Sequence, residues 1–142
     1  MDSLNRSPCD EPRLMQLKSM PHAFGELVVA EGGILPFEPR RTYFVHGIPA
    51  HAKRGGHAHI KTREALIALH GSFKATVERV GQRPEVFILQ NPHEALLIPP
   101  LCWIELVDFS EGACFLVVAS EPYDEADYIR DRASFEKLAC GR

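Results

Sequence analysis

The chain has 142 residues, which is the size of one domain and enough to bury a substantial core. It carries a formal charge of −3, a sequence pI of about 6.1 and 45% hydrophobic residues, so the clustered basic surface of a nucleic-acid-binding protein is not expected. No apolar run approaches the roughly 18 residues that cross a bilayer, so neither a membrane nor a nucleic acid is expected as a partner.

The N-terminal segment, residues 1–13, is polar and predicted to be a flexible leader without an apolar signal core. A single domain is expected over residues 14–142. The four cysteines form no CxxC pair and no pattern typical of a disulfide framework; they are Cys9, Cys102, Cys114 and Cys140. A reducing, cytoplasmic location is therefore expected.

The rest of the chain reads as short strands separated by Gly, Pro, Asn and Ser turns. A loop is predicted over residues 47–56 and a short helix over 134–138. Strands are predicted over 24–30, 43–46, 65–69, 73–80, 85–89, 95–98, 103–109 and 113–119. This order of elements, with no long amphipathic helix, favours an all-β sandwich or barrel.

The sharpest feature is the pair His57 and His59. Residues i and i+2 of a strand point to the same face, so the two imidazoles are predicted to lie side by side. If that face is a barrel interior, they can bind a metal or transfer protons near neutral pH. An isolated His-x-His pair is more often a surface feature or part of a satisfied core.

The residues around this pair match the first cupin motif. Two glycines precede the histidines, Glu64 follows them, and Gly71 closes the next strand. The second cupin motif usually supplies a further histidine, and Ile104 stands at that position. His57, His59 and Glu64 can still hold a metal with open positions, so a metal-dependent cupin enzyme is one alternative.

Besides Glu64, three further side chains are candidates for binding a substrate. A Tyr such as Tyr43 can reach into a barrel with its hydroxyl, and an Arg such as Arg54, beside the cavity mouth, suits a phosphate. Trp103 can wall the pocket or belong to the core.

Five segments together resemble the WxcM-like cupin sugar 3,4-ketoisomerases, which act on dTDP-4-keto-6-deoxyglucose. They are RTYFV at 41–45, RGGHAH at 54–59, LHGS at 69–72, WIELVDFS at 103–110 and YDEADYIR at 123–130. The resemblance spans about residues 37–135. It implies a jelly-roll (double-stranded β-helix) barrel with a short C-terminal helix, a homodimer, a nucleotide-sugar substrate, and no required metal or other cofactor.

The resemblance also implies site residues. The two motif histidines, matching His57 and His59, carry the proton transfers, and Tyr43 and Arg54 line the ligand pocket. The chain departs from the family pattern at Ile104 and Val107, where histidines are common, and at Glu64, where Gln is common. These departures leave the pocket less polar and bear on which sugar nucleotide it takes and on the product stereochemistry.

The expected chemistry moves a ketone from C4 to C3 of a deoxyhexose. A base removes the C3 proton, an enediolate forms, and a proton returns at C4. His57 is predicted to make the central transfer with His59 assisting, and Glu64 to fix an imidazole tautomer or raise its basicity. Besides the metal-dependent alternative, a non-catalytic sugar-nucleotide-binding cupin stays open, suggested by Ile104 and Val107.

Overall fold

The computed structural model describes residues 11–140, which form short strands and one helix. The strands are β1 (Arg13–Gln16), β2 (Lys18–His22), β3 (Gly25–Val29), β4 (Arg41–Val45), β5 (Arg54–His59), β6 (Glu64–His70), β7 (Phe73–Arg79), β8 (Glu85–Leu89), β9 (Glu94–Ile98), β10 (Cys102–Val107), β11 (Cys114–Ala119) and β12 (Tyr128–Ile129). A 3-10 turn over Glu125–Asp127 precedes β12, and helix α1 (Arg132–Cys140) follows it.

Two five-stranded antiparallel sheets form the body of the fold. The first has the order β1-β9-β6-β11-β4 and the second β12-β5-β10-β7-β8, while β2 and β3 form a separate hairpin. Apart from β7 and β8, which are consecutive, neighbouring strands of each sheet come from separate parts of the chain, as in a jelly roll. The predicted all-β jelly-roll class with a short C-terminal helix is confirmed.

The main core lies between the two sheets and contains alternate residues of the facing strands. β6 contributes Leu66 and Ala68, and β10 contributes Ile104 and Leu106, all nearly inaccessible to solvent. Phe73, Phe109 and Phe115 pack together at one end of this core, with ring centroids 5.2 to 6.2 Å apart. The alternation of inward residues follows from the two-residue repeat of a strand.

Two smaller apolar clusters cover the outer faces of the sheets. On the first sheet, the segment around Leu35 packs over Ala65 and Ile67 of β6. On the second sheet, Phe135 of α1 packs against Ala58 and Trp103. Strand β6 is therefore buried on both faces, which accounts for its continuous apolar sequence.

The observed elements agree with the predicted strands to within about two residues and add four others. These are β1, β2, β5 and β12; β5 begins inside the predicted loop over residues 47–56, and α1 is longer than the predicted helix. Most of the predicted leader, and with it Cys9, lies outside the described residues. Among residues 11–140, no helix has both the length and the apolarity that a membrane crossing demands.

Candidate active site

Strand β5 presents both histidines to one side of the second sheet. The second and third residues of β5 are Gly55 and Gly56, whose φ angles of 85° and 73° lie in the left-handed region. The pairing of β5 with β10 shifts register opposite Gly55. Beyond this irregularity the strand is extended, and the rings of His57 and His59 lie 5.2 Å apart, nearly perpendicular to each other. The expected side-by-side arrangement is therefore present.

A pocket that is partly open to solvent lies between the sheets beside these histidines. Four of the predicted site residues line it: Tyr43, Arg54, His57 and Glu64. Its remaining wall is apolar and consists of Val45, Leu66, Ile104, Leu106, Phe115 and Val117, with the backbone of Gly55. A few polar groups converging in an apolar cavity are typical of small-molecule sites.

Glu64 links the two sheets at the floor of this pocket. The Tyr43 hydroxyl donates a hydrogen bond to Oε2 of Glu64 at 2.9 Å, and Nε2 of His59 lies 3.4 Å from Oε1. Burial alone raises the pKa of Glu64, but the His59, Tyr43 and His57 contacts outweigh it and hold that pKa below its usual value. Burial, and then the Glu64 charge, raise the Tyr43 pKa far above its ordinary range.

Asp127 approaches His59 from the opposite side. Its Oδ2 lies 3.0 Å from Nδ1 of His59 and also accepts the hydroxyl hydrogen of Thr62. The backbone N–H of Lys61 donates to Oδ1 at 2.8 Å and that of Thr62 to Oδ2 at 3.3 Å. Burial raises the Asp127 pKa, but the hydrogen bonds from Thr62, Lys61 and His59 lower it by more, so the net pKa is below its usual value and the carboxylate stays ionised.

The pKa values of the two histidines are therefore shifted in opposite directions. His57 is half-buried, and burial lowers its pKa, an effect that Glu64 opposes and His59 reinforces. His59 is only 4% exposed, but Glu64 and Asp127 outweigh its burial and raise its pKa. His59 therefore holds a proton on both ring nitrogens to higher pH than His57 does.

Tyr128 covers both rings. Its ring centroid lies 5.1 Å from that of His57 and 4.3 Å from that of His59. The Arg130 guanidinium makes a cation–π contact with the Tyr128 ring, 4.1 Å from its centroid. Glu125 holds Arg130 in place through two hydrogen bonds of 2.6 and 3.0 Å. Tyr128 therefore packs one aromatic ring against both imidazoles.

The sequence reasoning assigned no role to Asp127, Thr62 or Tyr128. Asp127 and Tyr128 belong to the YDEADYIR segment, which is one of the segments that resemble the family. The resemblance therefore pointed to this segment, but the sequence alone did not show which residues its side chains contact. β12 pairs with β5 in the register Tyr128 opposite His59, which brings this segment to the site. Spacing along the chain does not predict that pairing.

Trp103, predicted to bind substrate, lies on the other face of β10 from the pocket. It is 6% exposed, its ring centroid lies 5.6 Å from that of Phe135, and its indole N–H donates to Glu105 at 3.3 Å. This position corresponds to the core alternative stated for Trp103 and not to a pocket wall. Ile104, its neighbour, faces the pocket, whereas Val107 lies outside the lining.

Three side chains of the site can each offer one ligand atom to a metal. The ligand atoms of His57, His59 and Glu64 lie within 4.8 Å of one another, and Nε2 of His59 has no partner in hydrogen-bond geometry. A carboxylate on the other nitrogen, as Asp127 provides, is common behind metal-bound histidines. Ile104 lines the pocket at the position where the second cupin motif usually has a histidine, and its side chain has no atom that can bind a metal.

The arrangement suits proton transfer within a small bound molecule. A neutral imidazole at a pocket wall can accept a proton, and an adjacent imidazolium can stabilise developing negative charge or donate a proton. The apolar wall strengthens both effects because it lowers the local dielectric.

Comparisons with known proteins give one family. The family described as "FdtA: WxcM-like, C-terminal" matches residues 10–139. The chain is 33% identical over 128 residues to a TDP-4-oxo-6-deoxy-alpha-D-glucose-3,4-oxoisomerase from Aneurinibacillus thermoaerophilus, covering 89% of this chain and 91% of that protein.

Solved structures are similar over the same length. A histidine-to-asparagine variant of the 3,4-ketoisomerase QdtA from Thermoanaerobacterium thermosaccharolyticum, in complex with TDP-4-keto-6-deoxyglucose, superposes with a TM-score of 0.87 at 36% identity, covering 92% of this chain and 95% of that one. A 3,4-ketoisomerase from Helicobacter canadensis superposes with a TM-score of 0.87 at 30% identity, covering 92% and 98%.

Proposed function

This chain belongs to the FdtA family of WxcM-like proteins, and from that premise we propose that it is a sugar-nucleotide 3,4-ketoisomerase. Its substrate is a TDP-linked 4-keto-6-deoxyhexose, the class bound by the similar QdtA variant. The observation that carries this proposal is the pair of imidazoles, 5.2 Å apart, beside one pocket that also contains Tyr43, Arg54 and Glu64.

The proposed reaction starts with the hexose in the pocket and its C3–H bond directed at His57. His57, neutral because burial lowers its pKa, takes the C3 proton, and the electron pair of that bond moves through C4 to the carbonyl oxygen. The resulting enediolate is stabilised by the His59 imidazolium and by the Arg54 guanidinium at the pocket wall.

The second half of the reaction returns a proton to C4 from His57. The C3 hydroxyl loses its proton as C3 becomes the ketone, and the oxygen on C4 gains one. His59 is suited to this relay between oxygens because it already carries a proton. No electron leaves the substrate, so the net reaction is an isomerisation.

The test is turnover. Purified protein incubated with TDP-4-keto-6-deoxyglucose is expected to give the 3-keto isomer, followed by proton NMR. Failure to turn over a panel of TDP-linked 4-keto sugars would overturn the proposal. Thermal stabilisation by those sugars without turnover would instead support a non-catalytic binding protein.

A metal-dependent enzyme is the second candidate, favoured by the convergence of His57, His59 and Glu64. Elemental analysis of protein purified without chelator decides between the two. A stoichiometric transition metal, with turnover abolished by its removal, would support this candidate. Turnover by protein that contains no metal would exclude it.

We also propose that the protein is a homodimer. The β2–β3 hairpin exposes Phe24, which is 94% accessible, and the cross-strand pair Met20 and Leu27, which are 43% and 57% accessible. A two-stranded hairpin is marginally stable alone, and a second copy of the chain would bury this surface.

We propose a cytoplasmic location for the protein. The three cysteines that the structure describes are free, which is typical of proteins in a reducing compartment.

Light scattering after size-exclusion chromatography tests the dimer. The wild-type protein is expected at twice the 15.9 kDa chain mass, and Leu27→Asp is expected to shift it toward the monomer. Val86→Asp is the matched control, since Val86 is 54% accessible but lies on β8, away from the hairpin. A monomeric wild-type protein would overturn the proposal.

A further inference from the structure

We propose that Asp127 is a positioning residue that, together with Thr62, fixes the ring orientation of His59 in the pocket. Asp127 does not line the pocket, so it acts on the reaction through His59. This role rests on the proposed ketoisomerase function, since it assigns how one residue of that site is held.

The contacts of Asp127 leave its carboxylate little freedom. Its side chain accepts from the backbone N–H groups of Lys61 and Thr62, accepts the Thr62 hydroxyl, and meets Nδ1 of His59 at 3.0 Å. Asp127 and Thr62 are 4% and 2% exposed. A buried carboxylate with this many donors is held in one rotamer, and its remaining lone pair fixes the position of a proton on Nδ1.

The backbone fixes the same geometry. The N–H of Ile60 donates to the carbonyl of Asp127 at 2.9 Å, and Tyr128 lies opposite His59 in the β12–β5 register. The backbone of Asp127 is therefore held next to the end of the strand that carries His59. Because Nδ1 of His59 faces Asp127, Nε2 faces Glu64 and lies 3.4 Å from its Oε1.

Other acidic residues of the same segment make different contacts. Asp124 accepts from the Ala126 N–H and caps the 3-10 turn, and Glu125 pairs with Arg130. These contacts of Asp124 and Glu125 involve no histidine. Without Asp127, the imidazole ring of His59 can rotate by half a turn, which exchanges its two nitrogens. The proton that His59 presents to the substrate would then be misplaced.

The first experiment is a kinetic comparison of Asp127→Asn with Asp124→Asn. Asparagine keeps the shape and one acceptor oxygen of residue 127, so the fold is retained while the charge is lost. Asp127→Asn is expected to lower kcat by about 10- to 100-fold with KM changed less than about threefold, the range seen when a partner behind an active-site histidine is lost. Asp124→Asn, which still caps the turn, is expected to match the wild type.

The second experiment measures the 15N shifts of the His59 ring, which report directly on its protonation and tautomer. Asp127→Asn is expected to change these shifts, while those of Asp124→Asn stay as in the wild type. Thr62→Val is expected to change the His59 shifts in the same direction and to lower kcat, and Thr62→Ser, which restores the hydroxyl, to recover both. The Thr62 pair decides the question if Asp127→Asn does not fold.

The two readouts separate this proposal from the function on which it rests. A wild-type protein without turnover would end the ketoisomerase proposal, and the His59 shifts would still decide whether Asp127 orients the ring. A folded Asp127→Asn protein with unchanged kcat and unchanged His59 shifts would overturn the positioning role. Reduced thermal stability with both readouts unchanged would overturn it as well, because it would show a structural role alone.

Discussion

The two histidines lie two residues apart on one strand, but they have opposite pKa shifts because their neighbours differ. His57 is half-buried, and the charge of Glu64 does not compensate for its burial. His59 lies between Glu64 and Asp127, and the two carboxylates together outweigh its burial. A single strand can therefore provide a base and an acid at the same pH.

This difference predicts a bell-shaped pH dependence of kcat/KM. His57 must be neutral, and its pKa lies below the ordinary value of 6.5, so the acid limb is expected below pH 6.5. His59 must be protonated, and its pKa lies above 6.5, so the alkaline limb is expected above that pH. Initial rates at limiting substrate concentration across the pH range give both limbs.

The charged groups around the histidines determine how this profile changes in variants. Arg130 and the His59 charge both lower the His57 pKa, while Glu64 raises it. Glu64→Gln is therefore expected to move both limbs to lower pH, since both histidines lose a nearby negative charge. Limbs that do not move in Glu64→Gln, or an acid limb well above pH 6.5 in the wild type, would contradict the assignment.

The sequence predicted five residues of the site because each carries its own signal. His57 and His59 have the spacing that places them on one face, Glu64 follows at motif distance, and Tyr43 and Arg54 stand in segments typical of the family. The position of Trp103 was not predicted, since alternation along β10 is compatible with either face. The identity of a single residue does not fix which face is inside.

At the scale of elements, the pairing of β12 with β5 completes the site. This two-residue strand brings Tyr128 opposite His59 although the two are far apart in the chain. A strand this short has no periodicity to detect, and nothing local specifies its partner. Only the structure therefore shows that the YDEADYIR segment contributes to the site.

The glycines at the start of β5 set the path of the strand and give a stability prediction. A Cβ at Gly55 would lie 2.6 Å from the carbonyl oxygen of Ile104, whereas one at Gly56 would meet nothing within 4 Å. Both positions have positive φ, so alanine costs about 1–2 kcal/mol at either one. Gly55→Ala is expected to cost at least about 3 kcal/mol, because the added clash is with backbone.

Chemical denaturation of the two variants tests this prediction, with Gly56→Ala as the control for backbone strain. Gly55→Ala is also expected to reduce kcat in the protein that remains folded, since the strand shift moves His57. Equal losses of unfolding free energy in the two variants would contradict the proposed close contact between β5 and β10.

Helix α1 covers the outer face of the second sheet, and this position predicts the effect of changing Trp103. Trp103→Phe removes part of the contact with Phe135 and the hydrogen bond to Glu105. The expected loss of unfolding free energy is about 1–3 kcal/mol, with KM for the sugar nucleotide unchanged. A severalfold rise in KM with unchanged stability would instead place Trp103 against the substrate.

At the scale of the whole molecule, the sequence predicted the class of fold because many short strands with frequent turns leave few other architectures. It did not predict the two outer clusters, in which residues around Leu35 and Phe135 cover the sheets. Those contacts join segments far apart in the chain. The two clusters bury parts of the outer faces of both sheets.

The measurement that tests the central claim most directly is the conversion of TDP-4-keto-6-deoxyglucose in D2O by the wild type and by His57→Asn, followed by NMR. The wild-type protein is expected to form the 3-keto isomer with deuterium at C4, since a half-buried imidazole exchanges its proton with solvent. His57→Asn is expected to be slower by at least about 100-fold. Conversion by His57→Asn at the wild-type rate would contradict the account.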